Sequence, residues 1–177
     1  VMQEGLDHES KDTYTLTVVV TDDGVSPPRL VSLPATVTIT INDINEVPVV
    51  APGIVKLIDE NSAVGTAVVD AAGAAVAHMN GHTVDPDADQ THTWEIVDAQ
   101  DVFQIDSVTG DISLKRAVLD FEATNTYTVL VIAEDDGSPR LQGNATVTIM
   151  LRDENENPYL AAQNREIAEN SAVNAFV

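Results

Sequence analysis

The same set of acidic signatures occurs twice along this chain, in the same order. Leu6-Asp7-His8-Glu9 returns as Leu119-Asp120-Phe121-Glu122, and Thr21-Asp22-Asp23-Gly24 as Glu134-Asp135-Asp136-Gly137. Asp43-Ile44-Asn45-Glu46-Val47-Pro48 returns as Asp153-Glu154-Asn155-Glu156-Asn157-Pro158. Ile58-Asp59-Glu60-Asn61-Ser62-Ala63-Val64 returns as Ile167-Ala168-Glu169-Asn170-Ser171-Ala172-Val173. The paired positions lie 113, 113, 110 and 109 residues apart. A period of this length means tandem domains that each bury their own core, not a solenoid of short units. The drop from 113 to 110 is local: fifteen steps separate Asp22 from Val37, but twelve separate Asp135 from Val147. Both intervening loops carry Ser-Pro followed by Arg-Leu, so one turn has gained or lost three residues.

Four segments alternate apolar and polar residues with period two, the pattern of strands with one face on a core. Tyr14, Leu16, Val18 and Val20 form one row, and Val37, Ile39 and Ile41 a second. The second repeat reproduces both, as Tyr127, Val129, Val131 and Ala133, then Ala145, Val147, Ile149 and Leu151. Thr and β-branched residues dominate, as pleated surfaces favour. Further strands are expected from Thr91 to Val97 and from Asp111 to Leu114, after a Thr109-Gly110 turn. The fold class is all-β, with two-layer sandwiches of about seven strands per complete repeat. The alanine-rich stretch from Ala67 to Met79 leaves two readings open, a short helix by propensity or a strand with an irregular insertion.

The boundaries fall at the linker motifs. Residues 1–47 read as the C-terminal part of one repeat, 48–157 as a complete repeat and 158–177 as the start of a third. The first part holds only two long strands, which alone leave an apolar face uncovered. Residues 1 to about 45 are therefore expected to be poorly ordered or packed against an unnatural partner.

With 29 acidic and 8 basic side chains the chain carries a formal charge of −21, which excludes nucleic acid as a partner. Such self-repulsion opposes compactness unless cations are bound. The hydrophobic fraction of 44% is that of a folded protein, not of an acidic tail. Cysteine is absent, which removes disulfides, thiolate metal sites and cysteine nucleophiles. No run of eighteen apolar residues exists, so membrane attachment is expected only through parts outside this segment.

The acidic motifs supply Asp, Glu and Asn oxygens, hard ligands that suit calcium with its six to eight tolerant coordination positions. Zinc or copper would require clustered His or Cys, and the four histidines show no ligand spacing. Paired carboxylates also occur in glycosidases, but here they recur once per repeat at linkers, which fits metal cages better than one cleft. Neither a nucleophile elbow, nor a phosphate loop, nor a His-Glu-x-x-His motif is present, so no enzyme is expected.

Taken together, these motifs resemble those of cadherin repeats: an early Glu-Asn, a central Asp-x-Asp at Asp85-Pro86-Asp87, Leu-Asp-x-Glu, Ala-x-Asp-x-Gly, and a terminal acidic linker ending in x-Pro. The likeness covers nearly the whole chain and is that of divergent repeats in a large surface protein. It implies tandem Greek-key, seven-strand, immunoglobulin-like sandwiches joined by linkers that bind calcium, usually three ions per junction. At the first junction it implies Asp7, Glu9, Asp43, Asn45, Glu46, Asp85, Asp87 and Asp135 as ligands. At the second it implies Glu60, Asp120, Glu122, Asp153, Asn155 and Glu156. Asp22 would serve a junction before the first repeat. Glu46 and Glu156 replace the family's linker Asp, Val47 replaces an Asn, and Asp87-Ala88-Asp89 is an alternative frame for the Asp-x-Asp.

Two carboxylates about 5 Å apart repel by roughly 3 kcal/mol at an effective dielectric near 20. An unliganded junction should therefore splay, and calcium should stiffen the chain of beads into a rod. The function expected is an extracellular, cell-surface, calcium-dependent adhesion or spacer segment, whose partners are neighbouring repeats and, if adhesive, another surface protein of the same kind. The alternative is an accessory or carbohydrate-binding module of a secreted polysaccharide-processing protein. Aromatic residues make up 4% of the chain and alternate with core positions, which favours the first. Trp94 reads as core, and Asn144-Ala145-Thr146 is a glycosylation sequon.

Overall fold

The computed structural model describes residues 5–24, 29–71, 78–158, 162 and 169. Among them all regular structure is β, apart from one 3-10 turn at Met79–His82. The first repeat contributes a hairpin, β1 (Thr13–Val18) and β2 (Ala35–Thr40). The second contributes β3 (Val49–Val50), β4 (Ile54–Asp59), β5 (Val69–Asp70), β6 (Thr83–Val84), β7 (His92–Val97), β8 (Phe103–Ile105), β9 (Ile112–Leu114), β10 (Thr126–Asp135) and β11 (Gln142–Arg152).

One layer is a five-stranded sheet in the order β5-β4-β11-β10-β7. Its centre is the long antiparallel pair β10–β11, from Thr126 opposite Met150 to Glu134 opposite Gln142. β4 joins β11 in parallel, Ile54 beside Val147 through Asp59 beside Arg152. Parallel neighbours require a long crossover, and here most of the repeat provides it. The opposite layer consists of two short ladders, β3–β6 and β8–β9.

The alternation expected from the sequence places the core. Tyr127, Val129, Val131 and Ala133 of β10 are buried, as are Ala145, Val147, Ile149 and Leu151 of β11. They meet Val50, Phe103, Ile112 and Leu114 from the short ladders in one cluster. Phe103 stands edge-on to Tyr127, with ring centroids 5.4 Å apart. Each such side chain contributes about 1.5–3 kcal/mol by leaving water. Trp94 is core, with its indole N–H donated to Asn80 Oδ1 at 3.1 Å.

Among the described residues nine strand segments stand where about seven were expected. The first strand path divides at Gly53, whose φ of 73° turns the chain: β3 pairs in the small layer and β4 in the large sheet. Of the alanine-rich stretch, Ala67 bridges Ser113, β5 pairs with β4, and Met79 opens the 3-10 turn. Residues 72–77, on which the choice between helix and strand turned, lie outside the described residues.

β4 carries one inward residue that breaks its apolar row. Lys56 lies between Ile54 and Ile58, is 1% exposed, and pairs its ammonium with Asp70, with His82 Nε2 3.4 Å away. A buried ammonium is tolerable only with such partners.

The first repeat's contribution is the β1–β2 hairpin. It forms in full register, Thr13 opposite Thr40 through Val18 opposite Ala35, because alternation and cross-strand pairs act locally. Its apolar row is open to solvent, with Leu16 50% exposed and Val37 and Ile39 each 44%.

Candidate metal centres at the two linkers

The first centre forms where the segment leaving β2 meets the second repeat. The Leu6–Glu9 loop is held to the end of β2 by a 2.9 Å hydrogen bond between His8 Nδ1 and the Ile41 carbonyl. This brings Glu9 beside the linker and the Asp-Pro-Asp loop. Glu9, Asp43, Glu46 and Asp87 each offer a carboxylate oxygen, all within 4.8 Å of one another. A hollow of about 380 Å³, lined by His8, Glu9, Asp43 and the loop from Pro86 to Gln90, opens beside them.

The electrostatics of this group suit a cation. Burial, then the charges of Glu9, Asp87, Asp43 and Asp7, push the Glu46 carboxyl above its usual range. Glu46 Oε2 is buried and has no hydrogen-bond partner among the described residues. A buried oxygen left unpaired is costly, and a hard divalent ion is the group that its surroundings fit. The main-chain N–H of Glu46 donates to Asp87 Oδ2 at 2.9 Å, locking linker to loop.

A second hub adjoins this cage. Asp135 is fully buried; its Oδ1 accepts the N–H groups of Gly137 and Leu141, both at 3.0 Å. Asn45 Nδ2 donates to Asp135 Oδ2 at 3.1 Å and to the Pro139 carbonyl at 2.8 Å, while Gln90 Nε2 donates to Asn45 Oδ1 at 2.5 Å. Asp85 accepts the Asp87 N–H at 3.1 Å and lies 2.8 Å from His92 Nε2. Gly137 is required by space: a Cβ there would stand 1.7 Å from Asn45 Oδ1.

The second centre repeats the plan. Glu60, Glu122, Asp153 and Glu156 bring carboxylate oxygens within 4.8 Å of one another. Glu60 is 1% exposed, and the N–H groups of Phe121 (2.7 Å) and Glu154 (2.8 Å) hold one oxygen each. Those two bonds lower its carboxyl below the ordinary value. Asn61, with φ of 56°, donates to Glu156 Oε1 at 2.7 Å.

Not every residue singled out in the sequence joins these groups. Both oxygens of Asp7 are engaged by Ser10, and Asp120 Oδ1 accepts the Ala123 N–H at 3.0 Å. Asn155 and Asp89 are exposed. Asp22 caps its own turn through Gly24 and Leu30, as Asp135 does through Gly137 and Leu141. The Glu-Asn motif of the third repeat lies outside the described residues except for Glu169. Conversely, Gln90 and His92 orient candidate ligands without belonging to any motif, and Asn61, quoted only as part of the early Glu-Asn, does the same. They reach their partners only through the fold, Gln90 across 45 residues and Asn61 across 95.

A family model, the cadherin domain, matches residues 58–152. Over 158 residues the chain is 33% identical to protocadherin Fat 4 of Mus musculus, a match covering 88% of this chain and 3% of that protein. It is also 33% identical over 180 residues to cadherin-2A of Xenopus laevis, covering 97% of this chain and 19% of that protein. The human desmocollin-1 ectodomain shares the fold with a TM-score of 0.57 at 26% identity, covering 88% of this chain and 29% of that one. The chain thus spans less than a fifth of the curated relatives it matches.

Proposed function

The chain belongs to the cadherin family, and from that premise we propose that it is an extracellular cell-surface segment that binds calcium at its inter-repeat junctions and is stiffened by it. Cadherin domains bind calcium, and cadherin-family adhesion proteins are generally not enzymes. The observation that carries the reading is the pair of four-carboxylate clusters, one at each linker, with a buried unpaired oxygen on Glu46 in the first.

At the first junction Glu9, Asp43, Glu46 and Asp87 would hold one part of the ion cluster and Asn45, Asp85 and Asp135 another, with Asp7 at the rim. At the second, Glu60, Glu122, Asp153 and Glu156 would bind, with Asp120 and Asn155 alongside and further ligands from the third repeat. The corresponding units are residues 1–47, 48–157 and 158–177. Calcium supplies positive charge that removes the mutual repulsion of the carboxylates. Neighbouring repeats, otherwise free to hinge at the linker, then hold one orientation.

Such a rod serves calcium-dependent adhesion as a spacer or as a contact surface for another protein of the same kind. Extracellular calcium modules bind at about 10⁻⁴ to 10⁻³ M, so stiffness would follow external calcium. A carbohydrate-binding module is not favoured, since the relatives are cadherins and Trp94, its best aromatic candidate, is buried.

The test is calcium titration of a chain with three complete repeats, read by small-angle scattering and thermal unfolding. Elongation with a higher melting temperature, both lost in Asp87→Ala and Asp135→Ala, is the expected result. Unchanged shape and stability through several-fold excess over that affinity range would overturn the reading.

A further inference from the structure

The linker centres leave one sequence motif unused. Asn144-Ala145-Thr146 is the only Asn-x-Ser/Thr triplet with a non-proline centre in the chain. It lies in β11, and the strand alternation fixes its presentation: Ala145 is buried in the core while Asn144 and Thr146 both face out and are exposed. No hydrogen bond engages the Asn144 amide among the described residues.

The face on which it stands carries a short apolar strip among polar residues, with Glu95 of β7 on the far side of Ile132. Asn144 pairs across the ladder with Ile132, and Thr146 with Leu130. Leu130 in turn pairs with Val97 of β7, which is 50% exposed, and Met150 further along β11 is 43% exposed. Leu130 and Ile132 are half-buried, on the side of β10 opposite to the core residues Val129, Val131 and Ala133. Directly opposed side chains on a sheet face lie about 4.5–5.5 Å apart at Cβ, so a group attached to Asn144 stands over Ile132.

We propose that Asn144 is an N-glycosylation site, and that its oligosaccharide covers the apolar strip around Ile132 and Leu130. The proposal rests on the extracellular reading, because the donor, a lipid-diphosphate-linked oligosaccharide, is met on the secretory route. A bond forms between Asn144 Nδ2 and the anomeric carbon of the first sugar, and the bond from that carbon to the diphosphate oxygen breaks. Nδ2 loses one proton and the lipid diphosphate leaves, with no change of oxidation state. Transfer acts on the chain before it folds, so the position within a strand is no obstacle. Folding then turns the modified side chain outward, since Asn144 has the parity opposite to Ala145. The candidate ligand Asp135 has the inward parity of Ala133 on β10, so the glycan and the first metal centre occupy different surfaces.

The experiment is secretion of the chain from cultured animal cells, followed by intact-mass measurement before and after treatment with peptide N-glycosidase. One oligosaccharide of added mass is expected, lost on treatment, absent in Asn144→Gln and Thr146→Ala, and retained in Thr146→Ser. Secreted, folded protein (shown by a cooperative Trp94 unfolding transition) without added mass overturns the site. Enzymatic removal of the sugar should increase binding of a hydrophobic dye, and unchanged dye binding overturns the covering role. Calcium titration of the same samples separates the two ideas. Calcium-raised melting without a glycan leaves the junction reading standing and sinks this one, and a glycan without a calcium response does the reverse.

Discussion

Gly137→Ala should uncouple the first linker from the second repeat while leaving the repeat itself folded. The added Cβ would stand 1.7 Å from Asn45 Oδ1, 2.3 Å from its Cγ and 2.7 Å from its Nδ2. All three atoms belong to one side chain, so Asn45 swings away and the backbone stays. Three hydrogen bonds go with it: Asn45 to Asp135, Asn45 to Pro139, and Gln90 to Asn45. The first is charge-assisted, about 1.5–3 kcal/mol, and the others about 0.5–1.5 kcal/mol each. With water replacing part of these, the linker loses about 2–4 kcal/mol of attachment, a factor of roughly 30 to 700 in any equilibrium that needs it docked. Calcium at ten times its dissociation constant stabilises by about 1.4 kcal/mol per site, so a cage weakened this far gains almost nothing at that concentration. Unfolding followed by the fluorescence of Trp94, the only tryptophan, reports on the second repeat alone. In chelator the melting temperature should move by a few degrees at most, since no core residue is touched. In calcium the wild-type increment, about 4–8 °C per kcal/mol for a domain of this size, should disappear. Gly24→Ala is the control: at that matching position the atoms nearest a Cβ belong to Asp22 of its own turn, the first at 3.2 Å. A full calcium increment in Gly137→Ala would refute the role given to Asn45.

Ile149→Val and Ile39→Val are the same change at matching positions of the two repeats, one side chain fully buried and the other 44% exposed. Chemical denaturation should show a loss of about 1 kcal/mol for the first and a few tenths for the second. Lys56→Ala opens a cavity in the core and leaves Asp70, which is 18% exposed, with His82 Nε2 at 3.4 Å, so it should lower stability by about 2–3 kcal/mol, measured in urea. Asp106 and Asp136 are held below the ordinary carboxylate range by hydrogen bonds from Thr109 and Val108 and from Thr91. Their contribution is therefore present above the unfolded value of 3.8 and is lost as pH falls through their folded values, so Asp106→Asn should flatten the acid limb of a melting-temperature profile. Glu46 has the opposite sign. Its raised carboxyl destabilises when ionised, so in chelator the junction should gain stability as pH falls from neutral toward the carboxylate range, and Glu46→Gln should abolish that gain.

The long strands were legible because ten or eleven alternating residues leave a clear period. β10 and β11 bury the very rows that their Val, Ile and Tyr positions mark out. The short strands were less so: β3 and β6 of the opposite layer and β5 at the edge of the large sheet are two residues long, and two residues carry no period. Lys56 shows the limit from the other side: an inward lysine reads as outward until Asp70 is known to lie against it. At the candidate metal centres the repeated motifs pointed to the acidic residues but not to which of them meet. Asp7 and Asp120 carry the same motif as Glu9 and Glu122, yet Ser10 engages both oxygens of Asp7 and Ala123 one oxygen of Asp120. Contacts such as Gln90 to Asn45 join residues with no common pattern, and only the fold brings them together.

The parallel pairing of β4 with β11 determines how the second repeat bears tension. Residues entering from the first linker lead into β4 at one end of the sandwich, and β11 leads out to the second linker at the other. Six registered residue pairs, Ile54 with Val147 through Asp59 with Arg152, lie side by side along the line of pull. Stretching the chain therefore slides the two strands past each other and strains the whole ladder at once, instead of peeling it open one bond at a time. Forced unfolding is governed by the unfolding rate, not by equilibrium stability. A repeat fastened in shear can thus be mechanically durable even where its thermodynamic stability is modest.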